Sequence, residues 1–136
     1  MGRAIAFVVF LALALGGCAM LPPQACPAGM TRAATAELFF GRNVGASEGV
    51  SDAAWKDFVD TEIAPRFPDG FTAGDADGGW RSRDGTIIRE RSKRLFIVLA
   101  GKADEQAKLE AIRAAYKVRF HQESVMLFEG EGCVSF

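Results

Sequence analysis

A single histidine, His121, stands among 136 residues, which argues against a histidine-built zinc centre and leaves any Ser-His-Asp triad resting on one residue at a helix end. A helix-terminus charge is its simpler role. No Gly-x-Gly-x-x-Gly, phosphate loop or Cys-x-x-Cys pair occurs, so nucleotide binding has no motif to rest on. Asp75-Ala76-Asp77-Gly78 opens like a calcium loop but lacks the third acidic position and the closing Glu. No metal and no cofactor is expected. An excess of one charge is missing too. Sixteen basic side chains face 17 acidic ones for a net charge of −1, which argues against a nucleic-acid partner. No apolar run approaches the ~20 residues of a membrane-spanning helix.

What is present starts with a targeting pattern. Arg3 precedes the apolar run Ala4 to Leu15, of signal-peptide length, and Leu15-Gly16-Gly17-Cys18 resembles the bacterial lipobox, in which the cysteine thiol carries lipid. The expected organisation is a lipoprotein signal peptide over 1–17, a lipidated Cys18 and proline-bearing tether over 18–34, and one domain over 35–136. The expected address is the cell envelope, facing the periplasm, with the membrane as a partner through the anchor. Ala19 stands where inner-membrane lipoproteins typically carry Asp, so the outer membrane is favoured in a Gram-negative host. Cys26 and Cys133 remain as an even pair in a compartment that permits disulfides, and a bridge between them would contribute roughly 4.7 kcal/mol in the chain-entropy model.

Periodicity organises the rest. Thr35 to Asn43 reads as a strand, and Ser51 is a plausible N-cap for a helix with Trp55, Phe58, Val59 and Ile63 on one face. Pro65 and Pro68-Asp69-Gly70 end it. Phe71 to Asp75 reads as a weak strand, Gly78-Gly79 as a turn, and Thr86 to Ala100 as a long strand. Leu109, Ile112, Tyr116 and Phe120 share a face of a helix from Asp104 to about Gln122. Glu123 to Glu129 and Cys133 to Phe136 supply the last strand in two pieces. The order predicts an α+β, ferredoxin-like β-α-β-β-α-β sandwich with a four-stranded antiparallel sheet and both helices on one face.

Such a sheet should alternate apolar with polar residues, yet Leu38-Phe39-Phe40, Leu95 to Leu99 and Val125 to Phe128 are apolar on both sides. Both faces therefore read as buried. A second subunit, the N-terminal tether or a ligand would account for the second; a face-to-face homodimer is favoured, with cover by the chain's own tail as the alternative.

Glu37-Leu38-Phe39-Phe40-Gly41-Arg42, Pro65 to Thr72 followed by Gly79-Trp80, Arg89 to Lys93, Tyr116, Phe120, Gln122 to Val125 and the ending Cys133 to Phe136 carry a likeness that spans the mature domain. On these residues the chain resembles an uncharacterised bacterial family of small exported proteins and lipoproteins, domain of unknown function 3574. The resemblance implies no activity, substrate or catalytic residue.

One polar constellation is a candidate ligand site. Antiparallel pairing of the first and third main strands should bring Arg42 and Asn43 to Arg89, Glu90, Arg91, Ser92 and Lys93, with Trp80 a hairpin away. Arg forks beside an aromatic platform suit a carboxylate, phosphate or sugar; Glu90 simply pairing with these cations on a solvated sheet end is the alternative. Charge is uneven along the chain, with eight acids and two bases from Ala46 to Asp77 but six bases and two acids from Gly78 to Leu95. Opposed patches of this kind can steer subunits together or be two solvated faces. The missing catalytic motifs favour a non-enzymatic envelope lipoprotein that binds a partner or ligand. The alternative is a cofactor-independent small-molecule enzyme of the dimeric ferredoxin-like type, using Arg, Glu and Tyr116 between sheet and helices. An enclosed pocket holding Glu90 or Tyr116 would favour the enzyme, and a filled core with a flat apolar sheet face the binder.

Overall fold

The computed structural model describes residues 25–45, 47–81 and 83–136. The leader over 1–17 and Cys18 lie outside them. Four long strands form one antiparallel sheet: β1 (Thr31–Gly41), β4 (Thr72–Arg81), β5 (Ile87–Val98) and β6 (Met126–Val134), in the order β4-β5-β1-β6. A two-stranded ribbon, β2 (Asn43–Val44) with β3 (Ser47–Glu48), follows β1. Helix α1 (Asp52–Phe58) comes next, and α2 (Glu105–Phe120) joins β5 to β6. The architecture is α+β, with a four-stranded antiparallel sheet and two helices.

Ser51 caps α1, its hydroxyl oxygen accepting from the Ala54 N–H at 3.1 Å. The expected single helix up to Pro65 ends differently. Val59–Ile63 widens into a π-turn in which the Ala64 N–H reaches the Val59 carbonyl at 2.9 Å, and Pro65 has no N–H with which to continue the ladder. At the start of α2, the buried Glu105 carboxylate accepts from the backbone N–H groups of Ala100, Gly101 and Lys102 at 2.8–3.0 Å, which secures the turn from β5 into the helix.

Leu38 and Phe40 of β1 and Leu95 and Ile97 of β5 point towards the helices and are fully buried with Trp55, Phe58, Ile63, Leu109, Ile112 and Tyr116. The Tyr116 ring centroid lies 4.8 Å from that of Phe40 and 5.1 Å from that of Phe58. Edge-on packing of this kind adds about 0.5–1.5 kcal/mol per pair beyond the buried area. Tyr116 is buried among these side chains instead of lining a pocket between sheet and helices.

Three boundaries differ from expectation. β1 begins at Thr31 instead of Thr35, because Thr31 to Ala34 pair with Glu131 to Val134; the tether therefore ends earlier than position 34. β4 runs straight through Gly78-Gly79, which face Glu90 and Arg89 across the ladder. Glycine weakens a strand without forbidding it, and an edge strand has only one partner to satisfy. β6 is one strand, not two pieces. The expectation that both sheet faces are buried fails within one chain: on the helix-free face Phe39 and Phe96 are half-buried, while Met126 is 58% and Phe128 63% exposed.

Cys26 and Cys133 form the expected disulfide, their Cα atoms 5.6 Å apart across a sequence separation of 107. Arg32 pairs with Cys133 in the register of β1 and β6, so the bridge fastens the chain just ahead of β1 to the β6 edge.

Candidate functional site

Pleating decides what the expected cluster becomes. Arg42 and Asn43 do meet the first half of β5, with the Arg42 N–H on the Arg91 carbonyl at 3.2 Å. Successive side chains nonetheless leave a strand on opposite faces, so the cluster divides in two.

On the helix side lies an ion network in which one buried atom, Arg42 Nη1, has no hydrogen-bond partner among the described residues. The Arg42 guanidinium is 1% exposed; its Nη2 reaches Glu48 at 2.7 Å and Asp52 at 3.2 Å, and its Nε donates to the Val50 carbonyl at 2.8 Å. The buried Lys93 Nζ bonds Asp52 at 2.7 Å and Asp75 as well, and Arg91 reaches Glu48 at 3.3 Å. These bonds correct the reading of Arg42 and Lys93 as ligand-binding residues, since both cations are buried and engaged by carboxylates of this chain. Lys93 holds the Asp52 and Asp75 carboxyls below their ordinary range, chiefly by hydrogen bonding to them. Glu48, Asp52 and Asp75 of the acidic stretch thus pair with Arg91 and Lys93 of the basic one. Asp75, the first acid of the calcium-like run, is part of this network, and among the described residues no group of acids, histidines and cysteines is arranged to hold a metal.

On the helix-free face lies a cleft of about 1090 Å³. Phe39, Gly41, Ser92 and Glu90 are among its lining; Asn43 and Gly45 with His121 to Ser124 line it too, as do Ala76 to Gly79, Ile88, Arg89 and Met126. Glu90 is half-buried, and its Oε1 accepts the Asn43 N–H at 3.2 Å. Gln122 donates from Nε2 to the Asn43 carbonyl at 2.7 Å. A Cβ on Gly41 would stand 2.5 Å from Glu90 Oε1 and 3.3 Å from Gln122 Oε1, so the bare glycine is what lets the carboxylate lie over β1. Beneath, the Tyr116 hydroxyl donates to the Gly41 carbonyl at 2.8 Å; burial pushes its pKa up, which keeps the phenol a donor. Among the described residues Glu90 makes no ion pair with the arginines of the cluster.

Of the expected ligand residues, Glu90 and Arg89 line the cleft, Arg91 pairs with Glu48, and Trp80 sits opposite Ile88 on β4 with its side chain outside the described residues. The sequence reading passed over Gly41, Gln122 and His121 as site residues. His121 ends α2 in the left-handed region at φ 53°, where glycine is usual, and this turn delivers Gln122 to the end of β1. The polar run His121-Gln122-Glu123-Ser124 after an amphipathic helix was the available signal.

A family described as a protein of unknown function, DUF3574, matches residues 35–136. The chain belongs to this family. No curated protein matches the sequence. Solved structures that resemble the chain include a phage SAM lyase in its apo state, with 21% identity, a TM-score of 0.57 and 83% of this chain covering 95% of that one. Another is a phage SAM lyase in complex with S-methyl-5'-thioadenosine, also 21% identical, with a TM-score of 0.55 and 85% of this chain against 97% of that one. At this identity the likeness is one of fold.

These neighbours run against the expectation of a non-enzymatic binding domain, since both of these solved structures are of a lyase. Neither the family match nor these structures support lipidation at Cys18.

Proposed function

We propose that this family member is a cofactor-independent lyase acting on a small sulfonium nucleoside of the SAM type, bound in the cleft on the helix-free sheet face. The observation that carries the reading is Glu90, a half-buried carboxylate held by the Asn43 N–H and making no ion pair among the described residues. It lies beside the apolar side chains of Phe39, Ile88 and Met126. A sulfonium ion has its positive charge next to apolar carbons, so a carboxylate flanked by apolar and aromatic groups matches it. The likeness to a lyase complexed with S-methyl-5'-thioadenosine supports the same choice.

The chemistry suits a site without the familiar catalytic motifs. Sulfur in a sulfonium is already a good leaving group. When the carbon–sulfur bond breaks, its electron pair goes to sulfur and cancels the charge, and the new bond forms within the remaining fragment, so no water or external nucleophile is consumed. What the protein supplies is placement and a poorly hydrated surrounding for a charge that disappears in the transition state. Glu90 orients the cation, and Gln122 with Asn43 fixes Glu90.

The finer description of the fold as ferredoxin-like belongs to this proposal. It is supported by the way β5 separates β1 from β4 while β1 separates β5 from β6, which interleaves two βαβ units. The test of function is direct. The purified full chain, incubated with SAM, should release S-methyl-5'-thioadenosine on chromatography, and Glu90→Gln should lower the rate at least tenfold with an unchanged circular dichroism spectrum. Absence of both turnover and thioether binding at millimolar concentration would refute the reading.

A further inference from the structure

The cleft is lined from below and from two sides by one chain, and it runs out along Phe39 and Met126 onto the open sheet. There the strip continues through half-buried Phe96 and the exposed Phe128. Ligand sites generally bury about 70–90% of a small ligand's surface. Among the described residues the cleft stays open on the side away from the sheet.

We infer that the helix-free face packs against a second copy of this chain, and that the second copy roofs the cleft; the roofing half of the inference rests on the proposed enzyme reading. Three observations select a second copy as the occupant. The first is area. β1 has 11 residues, so four strands spaced ~4.8 Å apart and ~36 Å long present roughly 700 Å² in plan, near the ~800 Å² per partner of a standard interface. The second is self-complementarity. Besides its apolar strip and the Glu90 of the cleft, the face carries an acid and a base side by side, Glu37 and Arg94, joined at 2.6 Å and both partly accessible. A two-fold axis near them would let each also meet its opposite in the other copy, as an isologous contact requires. The third is continuity, because Phe39 and Met126 belong to both the strip and the cleft.

Sedimentation of the full chain between ~1 and ~300 µM should show self-association. Phe128→Glu places a charge on the strip outside the cleft lining, and Thr35→Lys does so on the same face away from the core; both should yield folded monomers. Each should also weaken S-methyl-5'-thioadenosine binding at least tenfold. A wild-type chain that stays monomeric to ~300 µM overturns the interface and leaves the tether or solvent as its cover. Both variants associating like wild type overturns it equally, and Thr35→Lys decides the matter if Phe128→Glu fails to fold. Wild type that associates while its two variants dissociate, with no thioether binding by any of them, would retain the interface and refute the roofed site together with the enzyme reading.

Discussion

Glu90 shows how a single residue takes its role from its neighbours' geometry. The carboxylate lies over β1 only because position 41 has no side chain. Gly41→Ala would put a methyl group 2.5 Å from Glu90 Oε1, and the flexible glutamate would swing away at small cost. Removing a glycine from a strand interior returns about 0.5–1 kcal/mol. The urea midpoint of Gly41→Ala should therefore shift by less than about 1 kcal/mol equivalent, while S-methyl-5'-thioadenosine affinity falls at least fivefold. An equal loss in both would mean that the glycine serves folding alone. That Glu90 and Asn43 would meet was legible from antiparallel pairing. That Arg42 and Lys93 would be lost to Glu48, Asp52 and Asp75 was not, because those acids arrive from the β2–β3 ribbon, the first turn of α1 and the β4 edge.

At the scale of elements, Lys93 fastens the start of α1 to β4 and β5 through Asp52 and Asp75. Both acids titrate lower in the folded chain than an ordinary aspartate, through hydrogen bonds from Lys93 first and nearby positive charge second. The stabilisation they contribute is thus present above about pH 4 and is lost as pH falls through their depressed values. Lys93 works in the other direction: burial lowers its pKa, but the bonds to the two acids outweigh burial and raise it. Its contribution is present below about pH 10.4 and is lost as pH rises through the raised value. Lys93→Met should flatten the acid and alkaline limbs of the urea midpoint plotted against pH. Limbs as steep as wild type would show that other groups govern them. Element type was legible wherever a periodic apolar face was long, as in α2. Boundaries failed where pairing overrode local propensity, at Thr31 to Ala34 and through Gly78-Gly79.

At the scale of the whole molecule, the Cys26–Cys133 bridge closes a loop of 107 residues and pins the entering chain to the β6 edge. In the chain-entropy model, such a loop is worth about 4.7 kcal/mol, with about 2–5 kcal/mol the usual loss when a small exported domain's bridge is removed. Alkylation without reduction should modify neither thiol, and Cys133→Ser should lower unfolding free energy by about 2–4 kcal/mol in urea. Thiols that alkylate freely would remove the bridge from this account. The sequence by itself determined the α+β class, the two helices with their apolar faces and the cysteine pair, because each depends on periodicity or on counting within the chain. Only the tertiary structure decided which face of the sheet bears the cleft, which cations are free to meet a ligand and that an acidic side chain lies over Gly41. Those outcomes depend on pleat and register, where a shift of one residue sends a side chain to the opposite face, and on partners from distant segments that no local pattern specifies.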